Sequence, residues 1–205
     1  GDHTGGNAAI AKDGASIVAH DELRRRMDMD MPNGTGGMRP RPPREALPNV
    51  TYNTTLTLRL NGQTAQLMHM PPAHTDGDTF VYFPDANVMA TGDLFFSNRY
   101  PAIDTASGGG VEGMIASAAN LLKMVDDQTK IVPGHGPLAD KKTLTEFRDM
   151  LISVRDRVKR RIAAGDSEDA VVNAKLIADL DAKWADSPAQ AERFLRVAYR
   201  SLNQK

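Results

Sequence analysis

Four short glycine-bearing corners constrain this chain more than anything else in it: Gly1-Asp2-His3-Thr4-Gly5-Gly6, Ala73-His74-Thr75-Asp76-Gly77-Asp78, Thr91-Gly92-Asp93 and Pro133-Gly134-His135-Gly136-Pro137. Each sets a histidine or an aspartate in a tight turn next to a segment that reads as strand. One such corner is an ordinary turn, in which a polar side chain hydrogen-bonds its own backbone. Four in one chain point to a single shared site, and so to a fold that ends several strands at a common edge.

The segments between the corners support that expectation. Asn7 is placed to cap a short helix over Ala8–Lys12, stopped by Asp13-Gly14. Residues 15–19 form a short strand, and His20 or Asp21 caps a second helix from Glu22 to Met27. Residues 28–49 lack periodicity and read as a long connection, rich in glycine and proline. From Thr51 the pattern has period 2, with Leu56, Leu58 and Leu60 alternating with polar residues. Asn61-Gly62 is a two-residue hairpin signal, returning the chain along Gln63–Met70. Thr79–Phe83 and Val88–Thr91 continue as antiparallel strands, which brings His74 and Asp93 to the same sheet edge. Residues 98–110 are irregular and end in Ser107-Gly108-Gly109-Gly110. Val111–Val125 is an amphipathic helix, Lys130–Val132 a strand with Pro133-Gly134-His135 turning out of it, and Leu144–Ile162 a long amphipathic helix. Asp166–Lys205 reads as two or three more helices. This is the pattern of a mixed α/β layer fold.

Composition excludes more than it identifies. With 205 residues and 40% hydrophobic content, the chain can bury one good-sized core. Lys+Arg 25 against Asp+Glu 26 gives no electrostatic reason to seek nucleic acid or an anionic membrane. The absence of cysteine removes thiolate zinc sites and thiol nucleophiles, and it leaves the compartment open. The arginines and lysine of 155–161 read as a solvated helix face, and Phe194, Leu195 and Tyr199 as the surface through which a homodimer would form.

Imidazole plus carboxylate, without thiolate, suits zinc first, then iron, manganese or nickel. A bound divalent ion makes water a competent nucleophile near neutral pH and polarises a carbonyl, so the chemistry implied is metal-assisted hydrolysis. The candidate ligands are Asp2, His3, His74, Asp93 and His135. Glycines 92, 134 and 136 would let backbone approach them closely. Asp76 and Asp78 are read as turn residues that hold His74, His20 as a helix cap and His69 as part of a hairpin strand. Ser107 lacks the surroundings of a serine nucleophile.

In order and in composition, the four corners resemble those of the metallo-β-lactamase superfamily, from Gly1 to about Ile162. The resemblance implies a four-layered αβ/βα sandwich with a two-metal site at one edge of the paired sheets, over residues 1–162, followed by a helical C-terminal extension over 163–205. It assigns Asp2, His3 and His135 to the second metal, His74 to the first, and Asp93 to the bridge between them, with Asp2 also orienting the attacking hydroxide. The family motif reads His-x-His-x-Asp-His, and this chain starts at its last three residues. The resemblance therefore implies a fold lacking its first strands, a parent enzyme with two zinc ions, and one ion weakly held in the chain as it stands. A leader preceding Gly1 would make the protein periplasmic or secreted; without one it would be cytoplasmic. The expected activity is hydrolysis of an amide, ester, lactone or thioester bond in a small molecule, with no nucleic-acid or membrane partner. Two alternatives are a mononuclear iron enzyme resembling persulfide dioxygenases, and a catalytically inactive truncated domain.

Overall fold

The computed structural model describes residues 2–32 and 37–203. Gly1 of the first corner, residues 33–36 of the long connection and the last two residues of the C-terminal extension lie outside the described residues. The chain divides into two compact units, Gly1–Leu56 and Thr57–Lys205.

In the first unit, α1 (Asn7–Lys12) and α2 (Asp21–Met27) flank β1 (Val18–His20), which pairs in parallel with β4 (Val50–Tyr52). Asn7 is not the cap expected of it. Gly6 holds that position with no side-chain hydrogen bond, because the Asn7 amide instead donates to the Ala46 carbonyl at 3.2 Å. His20 does cap α2: its Nδ1 accepts from the Glu22 amide at 3.2 Å, and its Nε2 lies 2.7 Å from the Asn53 carbonyl. A carbonyl can only accept, so Nε2 carries the proton and Nδ1 keeps the lone pair that caps the helix. The long connection is more ordered than its composition suggests, with β2 (Met31–Pro32) and β3 (Met38–Arg39) paired antiparallel and a 3-10 turn at Arg44–Ala46.

The second unit is built on a five-stranded sheet in the order β5-β6-β7-β8-β9, with β5 Thr55–Leu60, β6 Gln63–His69, β7 Thr79–Phe83, β8 Val88–Phe96 and β9 Lys130–His135. Asn61 and Gly62 at the β5–β6 turn have φ of 53° and 73°, the left-handed pair that a two-residue hairpin needs. Two strands run further than expected. β8 does not stop at Thr91, and Pro133-Gly134-His135 belongs to β9 rather than to a turn. β9 runs parallel to β8, pairing Met89 with Ile131. The register slips on either side of Gly92 before Phe96 pairs with His135. Gly92, at φ +51°, supplies the kink.

Helices α3 (Val111–Met124) and α4 (Lys141–Ala163) pack on this sheet, α4 starting from an Asp140 cap that accepts from the Thr143 amide. Phe80, Met89, Leu94, Phe95 and Ile131 of the strands are fully buried together with Met114 and Leu121 of α3 and Leu144, Phe147 and Leu151 of α4. Each such side chain contributes about 1.5–3 kcal/mol of burial. Three further helices follow, α5 (Glu168–Asn173), α6 (Ala178–Trp184) and α7 (Pro188–Leu202). Phe194 and Leu195 of α7 are each only 3% exposed and lie in the same core. The stripe expected to form a dimer surface is therefore used within the chain. Within the basic run on α4, Arg155 pairs with Asp156, Arg157 with Asp179, Lys159 with Glu112 and Arg161 with Asp166. Among the described residues no helix is long and apolar enough to cross a membrane.

Glu168 joins α5 to α7, accepting from Arg200 Nε at 2.8 Å and from Arg196 Nη1 at 3.0 Å. The Arg200 hydrogen bond, joined by Arg196, holds its carboxyl below the ordinary value of 4.5. A lowered native pKa adds stability above the unfolded-state value, and that stability is lost as pH falls through the native value. Glu168→Gln is thus expected to lower the melting temperature at pH 7, with the gap to the parent closing as the pH drops through the acid range. Thermal melts across that range would show it. An equal gap at neutral and acid pH would mean that the ion pair is not the cause.

Candidate metal centre

His74 is held from both sides. Its amide donates to Asp78 Oδ2 at 2.7 Å, and the Thr75 amide and hydroxyl donate to the same carboxylate at 3.0–3.1 Å and 2.6 Å. Asp78 is therefore the turn residue it was expected to be. Burial pushes its pKa up against these hydrogen bonds. On the ring, His74 Nδ1 lies 2.9 Å from the Ala102 carbonyl, so Nδ1 carries a proton and Nε2 points the other way. The backbone closes the arrangement, with the Asp104 amide donating to the His74 carbonyl at 2.9 Å and the Gly110 amide donating to that of Ala73 at 2.8 Å.

The three candidate ligands of the second unit meet. Asp93 Oδ2 is 3.3 Å from His74 Nε2, and Asp93 Oδ1 is 3.5 Å from His135 Nε2. The Asp93 side chain is 13% exposed, against 22% for His74 and 32% for His135. Phe96 stacks on the His135 ring at 5.2 Å and lies tilted 6.3 Å from that of His74, forming an apolar wall behind both. One carboxylate thus offers a separate oxygen to each of two imidazoles.

The donor chemistry fits a cation. With the Nδ1 proton of His74 given to Ala102, a neutral ring presents a lone pair to a carboxylate oxygen. That approach is repulsive unless a proton or a metal ion lies between the two atoms. The separations also match the edge of a zinc coordination tetrahedron, roughly 3.3 Å for bonds of about 2.0–2.1 Å. The glycines leave room for this arrangement. A Cβ on Gly134 would stand 2.1 Å from Asp93 Oδ1, and one on Gly136, at φ +99°, would stand 2.2 Å from the Ser97 carbonyl oxygen.

Asp2 and His3 lie in the first unit, in the turn before α1, both exposed, with His3 Nε2 3.6 Å from Asp2 Oδ2. The Ser107 hydroxyl donates to Asp104 Oδ2 at 2.7 Å, while Asp104 Oδ1 accepts from the Ala106 and Ser107 amides, so both side chains serve the turn at 104–107. Sequence reasoning missed the Ala102 carbonyl, the Phe96 wall and the role of the glycine run. A Cβ on Gly109 would stand 2.1 Å from the His74 carbonyl oxygen, so the run lets two backbones touch behind His74. Four glycines in six residues, at 108, 109, 110 and 113, were the available signal.

The family model described as the metallo-beta-lactamase superfamily matches residues 1–135. The chain belongs to the metallo-β-lactamase superfamily. Solved structures agree on the fold. The metallo-β-lactamase from Pontibacter korlensis matches with a TM-score of 0.57 and 22% identity, over 74% of this chain and 64% of its own. The BLEG-1 B3 metallo-β-lactamase matches with 0.61 and 22%, over 73% and 72%. The stereoselective inverting sec-alkylsulfatase Pisa1 from Pseudomonas sp. matches with 0.64 and 15%, over 94% of this chain and 37% of its own. At that coverage, the likeness to the sulfatase takes in most of residues 163–205. The chain thus spans just under two thirds of the length of the Pontibacter protein. None of the curated proteins matches it. Family and fold class are those to which the corners pointed. A metallo-β-lactamase fold with β-lactamase and alkylsulfatase neighbours, carrying a His/Asp cluster, supports a function of the metallo-hydrolase type.

Proposed function

We propose that this chain is a zinc-dependent hydrolase of an amide, ester, lactone or thioester bond in a small molecule, with His74, Asp93 and His135 as metal ligands. One observation carries the reading: a single, largely buried carboxylate gives one oxygen to each of two imidazole Nε2 atoms. A bound zinc ion would acidify water toward neutrality and polarise the scissile carbonyl. The protein's own groups do the rest. The Ala102 carbonyl fixes the His74 tautomer and aims Nε2. The Asp78 carboxylate closes the turn that carries His74. Phe96 keeps water from one side of both rings. On the strength of the motif alone, Asp2 and His3 are proposed as further ligands, Asp2 also orienting the attacking water. The near-zero net charge favours a small-molecule substrate over nucleic acid or a membrane surface.

Calorimetric titration of the full chain, stripped with EDTA, tests this together with a panel of nitrocefin, lactones and thioesters. The expected result is weak binding of zinc and hydrolysis of at least one panel member that EDTA abolishes. Absence of zinc binding, or binding of iron with oxygen uptake and no hydrolysis, overturns the proposal; the latter favours the oxygenase alternative.

A further inference from the structure

A cavity of about 270 Å³ lies beside the metal centre, between the segment 96–103 and one face of α7. Its apolar lining includes Phe96, Ile103, Phe194 and Val197, and its charged groups are Arg99 and Arg193. Gln190, Arg193, Phe194 and Val197 recur at the three- and four-residue spacing that puts them on one side of a helix. The two walls are tied together. Gln190 Nε2 donates to the Tyr100 carbonyl at 3.2 Å, and the Tyr100 ring stacks on Phe194 at 4.8 Å. The Tyr100 amide also donates to the Trp184 carbonyl at 2.7 Å. Ala102, whose carbonyl holds His74, lines the same cavity.

The charge of this cavity is unbalanced. Arg99 pairs with Asp186 through Nη2 at 2.6 Å, but its buried Nε meets no acceptor among the described residues. Arg193 makes no ion pair among the described residues. The reason is local: the residues three and four away along α7 are Ala189, Gln190, Arg196 and Val197, none of them acidic. Two arginines therefore line an apolar hollow whose lining includes no acidic residue, and one carboxylate, that of Asp186, is paired with Arg99. Guanidinium forks suit planar or tetrahedral oxyanions, and an apolar wall suits a hydrocarbon body. We propose that this cavity is a ligand site for a small apolar molecule carrying a single anionic head, carboxylate or sulfonate, with Arg193 and Arg99 holding the head and Phe96, Ile103, Phe194 and Val197 the body. The ligand lies against the segment that positions His74. The proposal does not depend on the metal being zinc or on hydrolysis.

The test uses the full chain in EDTA, so that no metal contributes, with hexanoate, hexanesulfonate and hexanol titrated by calorimetry. At least one of the two anions is expected to bind tenfold or more tightly than hexanol, and comparison of the two shows whether a planar or a tetrahedral head is preferred. Arg193→Ala is expected to reduce the affinity for the preferred anion at least tenfold and leave hexanol unchanged, with Arg193→Lys recovering part of the loss. Val197→Phe, filling the hollow, is expected to weaken all three, with circular dichroism reporting that the chain still folds. If hexanol binds as well as both anions, if neither anion binds, or if Arg193→Ala has no effect, the proposal is overturned. Because zinc is absent throughout, that failure would leave the hydrolase reading standing, and loss of the hydrolase reading would leave this site standing.

Discussion

Gly113→Ala is expected to destabilise the second unit by about 3 kcal/mol or more, at the upper end of what overpacking usually costs. The substitution adds one methyl group to the first turn of α3, where intrinsic helix propensity alone would favour alanine by about 1 kcal/mol. Packing reverses that sign. A Cβ at 113 would stand 1.5 Å from the Pro72 carbonyl oxygen and 2.6 Å from its carbon, and backbone cannot rotate out of the way. α3 would have to lift from residues 72–73, and Val111 would lose the hydrogen bond its amide gives to Ser201 Oγ of α7 at 3.0 Å. Gly165→Ala is the matched control. Its φ of +83° penalises alanine by about 1 kcal/mol, but nothing lies within 4 Å of the added methyl. Urea denaturation followed by the fluorescence of the single tryptophan, Trp184, which is 4% exposed, separates the two. Equal shifts in the midpoint would show that α3 does not rest on this backbone contact.

The same region shows where reading the sequence succeeds and where it stops. The hairpin at Asn61-Gly62 was legible because turn chemistry and period-2 alternation are local properties. The meeting of His74 with Asp93 was legible too, since consecutive strands ending in polar corners must bring those corners to one edge. What was missed depends on partners distant along the chain. Gly92-Asp93 reads as a turn, yet it lies inside β8 because β9 arrives some forty residues later to pair with it in parallel. The Ala102 carbonyl that fixes the His74 tautomer carries no residue signature, since every residue has a carbonyl. Ser107-Gly108-Gly109-Gly110 was legible as irregular chain. That it serves as a surface where one backbone lies against another behind His74 follows only from the distances at Gly109 and Gly113. The stripe on α7 was read correctly as apolar, but its partner proved to be the chain's own core. Periodicity identifies a buried face without saying what buries it.

Asp93→Asn is expected to lower zinc affinity by at least a hundredfold, on the order of 2.7 kcal/mol, while leaving the fold intact. Asparagine has nearly the same shape, so the space that Gly134 leaves beside Asp93 Oδ1 accepts it without a clash. What changes is chemistry. One of the two carboxylate oxygens becomes an NH₂ group that can only donate, so one of the two imidazoles loses its anionic neighbour. The other faces a neutral amide oxygen, a far weaker attraction for a dication. Whichever way the amide turns, only one of the original two oxygen positions survives. Loss on this scale would follow if the carboxylate holds the ion directly; a group that merely orients a ligand typically costs 10- to 100-fold. Calorimetric titration of parent and variant with zinc, alongside their far-ultraviolet circular dichroism, gives both quantities. Unchanged zinc affinity in a folded Asp93→Asn chain would remove Asp93 from the metal centre. The paired imidazoles would then have to be explained as a hydrogen-bonded cluster held together by protons.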